Sequence, residues 1–265
     1  MKMKVIVINN KKGGDGKSTL AKNLVKYLSL YGKTILFDSD EQANSTSCFV
    51  SKVDPVHHLA NIFRKQPVTP ISVTETIDLI AGSPDLKEVN AELYTKNNKE
   101  QIFLTWLKKN QLDNYYDYVV IDTHNDTGNI TTNMFLAADI ILGISSPSFD
   151  SLSGLLALDS YVADLKEDFI NLETGQSLVK GKLYFIGNKI EHNTSSSKKF
   201  IEAISSYDNY LGHLEKREIF NEANNLRTTI FDLCREKKYQ TASHRQFIER
   251  TTTFFDSIKQ IIDAA

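Results

Sequence analysis

A four-residue apolar, β-branched run, VIVI at 5–8, leads through two asparagines into the stretch NKKGGDGKST at 10–19. Gly13, Gly14 and Gly16 permit positive φ and let backbone N–H groups come close to a bound anion. Beyond Lys17, Ser18 and Thr19, apolar residues fall at 20, 24, 27, 28 and 31, the period of a helix over 18–31. A buried strand, a glycine loop and an amphipathic helix, in that order, leave few possible folds. The helix N-terminus adds its positive end to the loop, and the unit suits a phosphate chain. In such a loop Lys17 neutralises the β/γ-phosphates and the Ser18 hydroxyl ligates Mg²⁺. The usual pattern G-x-x-x-x-G-K-[ST] has its first glycine where this chain has Lys11, and Lys12 follows. Asp15 places a carboxylate inside a phosphate loop; its side chain is expected to point to solvent or to a partner subunit.

Further short apolar runs predict strands at 34–37, 77–81, 118–121, 140–144 and 183–186. Helical patterns lie at 100–109, 151–164, 198–207 and 245–262. Gly32 is expected to cap the first helix. Strands alternating with helices predict an α/β fold, a mostly parallel twisted sheet with helices on both faces. The polar stretch HNTSSSKK at 192–199 reads as a loop or helix start rather than a linker. One domain over 1–265 is therefore expected. Ligands of such sheets bind beyond the C-terminal strand ends. Three candidate segments, 9–19, 38–44 and 122–128, each follow a predicted strand directly.

The second segment, DSDEQAN, carries Asp38 and Asp40 at a strand end. Two carboxylates there suit Mg²⁺ held through water and an oriented attacking water. The third follows YVVID at 118–122, an apolar strand ending in Asp122, the form of a Walker-B element whose carboxylate holds the metal. The loop THNDTG at 123–128 then reads as a switch that senses a γ-phosphate.

The 265 residues are 41% hydrophobic and 24% charged, an ordinary globular composition. No apolar run approaches the roughly 20 residues of a membrane span, and the run at 5–8 is too short for a signal peptide. Cys48 and Cys234 are isolated and read as inert thiols of a cytosolic protein. The net charge is -2, yet residues 180–250 hold 13 Lys/Arg against 9 Asp/Glu. A basic C-terminal third hints at a polyanionic partner. A solvated helical surface explains the charge equally well.

On these motifs the chain resembles the ParA/MinD family of deviant Walker ATPases, and within it the short ParA-type DNA-partition ATPases. KGGDGKS at 12–18 is similar to the family's K-G-G-x-G-K-[ST]. The resemblance implies a P-loop NTPase fold with ATP and Mg²⁺ as cofactors. It makes Lys12 the signature lysine, which reaches across a nucleotide-sandwich dimer to the partner's ATP. There it would neutralise transition-state charge in trans, as an arginine finger does. Nucleotide contacts are implied for Lys12, Gly13, Gly14, Asp15, Gly16, Lys17, Ser18 and Thr19, and for Asn188, which falls where the family reads adenine. Catalysis is assigned by the same match to Lys12, Lys17 and Asp40, the last positioning the hydrolytic water. Ser18, Asp38 and Asp122 fall on the metal positions, Asp38 behind the metal rather than on it. The stretches IAGSPDL (80–86), AAD (137–139), SPSF (146–149) and 216–231, with Arg217 and Glu222-Ala223, carry the similarity along the chain.

There are departures. Glu41 replaces a proline after Asp40, DTHN at 122–125 stands where the family has D-x-P-P, and the turn at Gly32-Lys33 is one residue shorter. His124 reads as a polar loop residue, since phosphoryl transfer needs positioning more than a base.

A ParA-type ATPase predicts a homodimer on ATP binding that holds nonspecific DNA by its phosphates. The candidates are Arg217, Arg245, Lys198, Lys199, Lys237 and Lys238. A ParB-type centromere-binding protein would stimulate hydrolysis, and the protein would be cytoplasmic and nucleoid-associated. A MinD-like membrane ATPase is the alternative. Its amphipathic tail would be TFFDSIKQII at 253–262, but Asp256 and Asp263 accompany a single Lys259. Packing on the domain, and no membrane contact, is expected instead. An electron carrier like the nitrogenase iron protein lacks its cysteine spacing here. A nucleotide-bound adaptor without turnover is disfavoured by Lys12, Lys17, Asp40 and Asp122.

Overall fold

The computed structural model describes residues 3–265. Its centre is an eight-stranded sheet in the order β3-β4-β2-β5-β1-β6-β7-β8. The strands are β1 (Lys4–Asn9), β2 (Thr34–Ser39), β3 (Ile71–Thr74), β4 (Ile77–Ile80), β5 (Tyr118–Thr123), β6 (Ile140–Ser145), β7 (Lys182–Ile190) and β8 (Tyr210–Glu215). Every neighbouring pair is parallel except β3 on β4. The helices are α1 (Lys17–Leu28), α2 (Thr46–Phe49), α3 (Ala60–Arg64), α4 (Asp85–Leu93), α5 (Ile102–Lys109) and α6 (Asn129–Ala137). They continue as α7 (Phe149–Asp168), α8 (Ser195–Ile204), α9 (Glu218–Asn225), α10 (Ile230–Leu233) and α11 (Ala242–Ala264).

Side-chain alternation along each strand fills a core on either side of the sheet. Val5, Val7, Ile35 and Phe37 join residues of α3 to α8 in one core. Ile6, Ile8, Leu36 and Val120 face the other way, onto α1 and α11. The amphipathic C-terminal helix is thus spent on the sheet: Phe255, Ile258 and Ile262 are fully buried there. Register then sets the site. Asp122 on β5 lies level with Asp38 on β2 and with Ile8 on β1, so both aspartates emerge at the same C-terminal edge.

The mostly parallel α/β architecture matches the expectation, with differences at Gly32 and at two edge strands and with α2, α3, α4, α6, α9 and α10 beyond the expected helices. Gly32 is not a left-handed cap, since α1 ends at Ser29 in right-handed geometry. Gly32 is small for a different reason: a Cβ there would sit 2.5 Å from the Asp117 carboxylate, which bonds Lys33 N. Strands β3 and β8 escaped the sequence pattern because both lie at sheet edges and are only half-buried, which blurs the apolar run. The stretch at 192–199 is a helix start, where the Thr194 hydroxyl accepts from Ser197 N ahead of α8.

Candidate nucleotide site

The loop between β1 and α1 is a cradle of backbone groups. Gly14 and Gly16 take φ of 86° and 95°, and Gly16 is the residue from which α1 starts. A side chain at Gly16 would strain its φ of 95° and, with its Cβ 2.3 Å from Asn188 Nδ2, force Asn188 to move. Lys17 runs back under the loop and its Nζ donates to the carbonyls of Asn10 and Lys12, each at 3.4 Å. Burial holds the Lys17 ammonium below its ordinary pKa, against the pull of Asp122, Asp40 and Asp15. From β7, Asn188 Nδ2 donates to Asp15 O at 2.6 Å and Lys189 Nζ donates to Gly14 O at 2.6 Å.

Asp15 does not point to solvent or outward to a partner. Its side chain is buried beneath the loop at 2% exposure. It accepts from Ser146 Oγ at 2.5 Å, from Ser151 Oγ at 2.6 Å and from Asn10 Nδ2 at 2.7 Å. The carboxylate therefore fastens the cradle to the junction between β6 and α7, and only its backbone is left to face a nucleotide. Asn10, Ser146 and Ser151 went unnoticed in the sequence because their role exists only through Asp15, some 130 residues from the two serines.

The two strand-end aspartates differ in their partners. Asp38 accepts from Thr46 N at 2.7 Å, Thr46 Oγ1 at 2.8 Å and Asp40 N at 3.2 Å, so its carboxylate organises the 38–46 turn. Thr46 Oγ1 in turn accepts from Gly82 N at 3.0 Å. Asp122 Oδ2 accepts from Ser45 Oγ at 2.6 Å, but its Oδ1 is buried with no partner among the described residues. Burial pushes both carboxyls above the ordinary aspartate range, and Asp122 pushes Asp38 further. The Ser45 and Ser18 hydroxyls and Lys17 oppose the rise at Asp122 without cancelling it. A buried, unpaired carboxylate oxygen beside the Ser18 hydroxyl fits a divalent cation held by hydroxyl, phosphate and water, with Asp122 accepting from its shell.

A cavity of about 810 Å³ joins these parts. Gly13, Gly14, Gly16, Lys17, Ser18, Thr19, Asp40 and Asn188 all line it. So do His124 and Asn125 of the third loop, whose shape is set by Asn9: its Nδ2 donates to Thr123 Oγ1 at 2.6 Å and to His124 O at 3.0 Å. Asp40 accepts from Gln42 N with Oδ1 only, at 2.9 Å. Lys12 is not part of the lining. Its Nζ turns along the rim to Asp150 Oδ2 at 3.3 Å and Ser148 Oγ at 3.4 Å, at the start of α7. Lys11 lies over the Tyr161 ring, 4.8 Å from its centroid.

The six basic candidates for a polyanion surface are not gathered into one patch by contacts among themselves. Lys198 and Lys199 are exposed on α8. Lys238 pairs with Glu222, and Lys237 is exposed beside it. Arg245 folds back onto Gln240 O through Nε and Nη2 at 3.0 and 2.9 Å. Arg217 lines the nucleotide cavity and pairs with Glu215 at 2.8 Å. Arg250, which also pairs with Glu215, went unremarked in the sequence.

A glycine cradle ahead of α1, a lysine beneath it and two aspartates at adjacent strand ends define a P-loop ATPase fold. The comparisons narrow this. Residues 3–174 match the family described as AAA domain, and the chain belongs to this family of ParA/MinD-type ATPases. The chromosome partitioning protein ParA of Myxococcus xanthus is 31% identical over 174 residues, 63% of this chain and 60% of that protein. The match thus spans less than two thirds of that relative's length. A plasmid partition protein from Borrelia burgdorferi superposes with a TM-score of 0.72 at 25% identity, over 86% of this chain and 97% of that one. The apo form of McdA from Cyanothece shares the fold at a TM-score of 0.82 and 21% identity, covering 97% and 98%. No helix of the described residues is long and apolar enough to cross a membrane.

Proposed function

We propose that this chain is a partition ATPase of ParA type, a single ATPase domain that hydrolyses ATP slowly and pairs with a second copy while ATP is bound. The observation that carries the reading is the split between the two lysines of the loop. Lys17 is drawn in under the cradle, while Lys12 stays outside the cavity on its rim. A loop that leaves one lysine on the rim has a cation to offer to a nucleotide other than its own.

In this reading the triphosphate lies along the N–H groups of residues 13–19, with Lys17 on its β/γ end and Asn188 near the base. Ser18 would hold Mg²⁺, and Asp122 would accept from the metal's water through its unpaired oxygen. A bound Mg²⁺ supplies charge neutralisation of the phosphates. Asp40, with one carboxylate oxygen uncommitted, orients the attacking water, and Asp38 holds Asp40 in place through its backbone N–H. Lys12 of each protomer reaches the other's phosphates, which makes pairing depend on ATP.

The paired form is proposed to bind duplex DNA through phosphates rather than base edges, and a ParB-type partner to accelerate hydrolysis. The resemblance of the motifs and the partition proteins among the relatives support this. DNA mobility shift with ATP, ADP or no nucleotide, at two salt concentrations, tests it together with phosphate release. ATP-dependent, salt-sensitive binding is expected. DNA binding that ignores the nucleotide, or no phosphate release, counts against the reading.

A further inference from the structure

Lys11 stands where the usual phosphate loop has its first glycine, and its side chain does not line the nucleotide cavity. It is half-buried, with Nζ 4.8 Å from the centroid of the Tyr161 ring. Tyr161 lies within α7, its ring also packed on Phe135 at 5.9 Å between centroids. Its hydroxyl is 2.7 Å from Thr132 Oγ1 and 3.4 Å from Thr127 O. Thr132 Oγ1 in turn is 3.1 Å from Gly128 O. Each hydroxyl has one proton, which leaves two arrangements. Either Tyr161 donates to Thr132 and Thr132 to Gly128 O, or Thr132 donates to Tyr161 and Tyr161 to Thr127 O. Both end on a carbonyl of the 123–128 loop. The same loop carries His124 and Asn125, which line the nucleotide cavity. Asn125 lies close to the phosphate loop, since a Cβ at Gly13 would stand 3.5 Å from its Nδ2. Helix α7 is fastened to the first loop elsewhere as well, by Ser151 at Asp15 and at Gly154, where a Cβ would sit 2.8 Å from Asn10 Oδ1. One side chain of α7 thus joins the residue before the signature lysine to the loop after β5.

We propose that Tyr161 is a positioning residue for ATP hydrolysis which, with Lys11 as its cation, ties the placement of His124 and Asn125 to the loop that holds the phosphates. The inference rests on the ATPase reading and gives Tyr161 no contact with the nucleotide. An ammonium over the ring is attracted by its quadrupole and polarises the phenol, which makes the hydroxyl a stronger donor. Two other ties shape the loop. Asn9 anchors its start, and Asp126 fastens its end to Gly128 N at 3.2 Å and Thr131 Oγ1 at 2.6 Å. Neither reaches Lys11 or Lys12, and Tyr161 supplies that link. Hydrolysis depends on where the loop places its groups around the attacking water. Triphosphate binding depends on the backbone of residues 13–19, which the tyrosine does not touch. Loss of the link therefore slows the chemical step and spares affinity.

The experiment is single-turnover hydrolysis of Mg·ATP by the full chain, with ATP affinity from equilibrium titration and amide hydrogen exchange over 123–128 in ATPγS. It compares wild type, Tyr161→Phe, Lys11→Gln, Lys11→Arg and the Lys11→Gln/Tyr161→Phe double variant. Tyr161→Phe keeps the ring and its packing. It is expected to slow turnover about fivefold and speed exchange at 123–128, with affinity held within about twofold. Lys11→Gln is expected to slow turnover about threefold, and Lys11→Arg, which restores a cation over the ring, to return it to the wild-type rate. The double variant should be no slower than Tyr161→Phe alone, because the two residues act through one link. Where Tyr161→Phe does not fold, the two Lys11 variants decide. Wild-type turnover in Tyr161→Phe, losses that multiply in the double variant, or Lys11→Arg as slow as Lys11→Gln would each overturn the inference and leave the ATPase reading standing. A rate loss matched by an equal loss of affinity would overturn it too, since the ring would then only support the fold. No turnover by wild type removes the ATPase reading, and the inference with it.

Discussion

The Lys12 ammonium lies 3.3 Å from the Asp150 carboxylate of its own chain. The pair is exposed, 38% at Lys12 and 78% at Asp150, and such pairs hold loosely. A lysine engaged at the start of α7 has to leave it before it can serve a second nucleotide. Asp150→Asn is therefore expected to shift ATP-dependent pairing toward the dimer by about two- to fivefold. Lys12→Ala is expected to spare nucleotide binding by the monomer while abolishing pairing and stimulated hydrolysis. Sedimentation velocity with ATPγS measures both; a dimer that persists in Lys12→Ala would remove the lysine from this role.

Asp15→Ala takes away an acceptor shared by the buried Ser151 and Asn10 and the half-buried Ser146, although Asn10 Nδ2 keeps its bond to Ile144 O. The cost is about 3 kcal/mol, a fall in Tm of about 5–10 °C, with nucleotide affinity reduced as the cradle loosens. Were Asp15 a solvent-facing residue, thermal unfolding would not register the change. Scanning calorimetry and titration with a fluorescent ATP analogue distinguish the two.

The apo protein is expected to lose stability as pH rises from about 4 to about 7. Asp38 is raised from 3.8 to about 7 and Asp122 from 3.8 to about 6, chiefly by burial. A carboxyl whose folded pKa lies above its unfolded value favours the fold fully below the unfolded value. That contribution is lost as pH climbs through the folded value. Magnesium with ATP favours the ionised carboxylates, so the stabilisation it confers should be larger at pH 8 than at pH 5.5. Thermal shift at both values, with and without Mg·ATP, checks the sign, and a flat apo profile would contradict it.

Gly16→Ala places a Cβ 2.3 Å from Asn188 Nδ2 at a residue whose φ is 95°. Strain of this kind is costly for a residue with a side chain. The variant is expected to bind ATP at least 100-fold more weakly, because relief requires either the loop or Asn188 to move. Adding Asn188→Ala removes the clash but not the strain, so only part of the affinity should return in an equilibrium titration.

Six of the sheet's eight strands, their parallel sense and the three loops at the C-terminal edge were legible along the chain, because strand burial, helix period and turn glycines are all local. Glycines at 13, 14 and 16, with Lys17 and Ser18 next to them, specify a phosphate cradle by adjacency alone. The relation between Asp38 and Asp122 was partly legible, as two strand-end acids. That they stand level is a property of β2 and β5 being neighbours.

What the order of residues could not convey is where the polar side chains spend their hydrogen bonds. Asp15 looks like a surface acid in its own neighbourhood, and it is buried only because Ser146 and Ser151 arrive from β6 and α7 to receive it. Arg217 and Arg250 look like separate surface charges until Glu215 draws them to one carboxylate. Sequence alone pointed to the class of ligand proposed, since a phosphate loop is a contiguous backbone device. The tertiary structure decided which charges are buried, paired or left over, because burial and pairing depend on what distant segments bring to the same place.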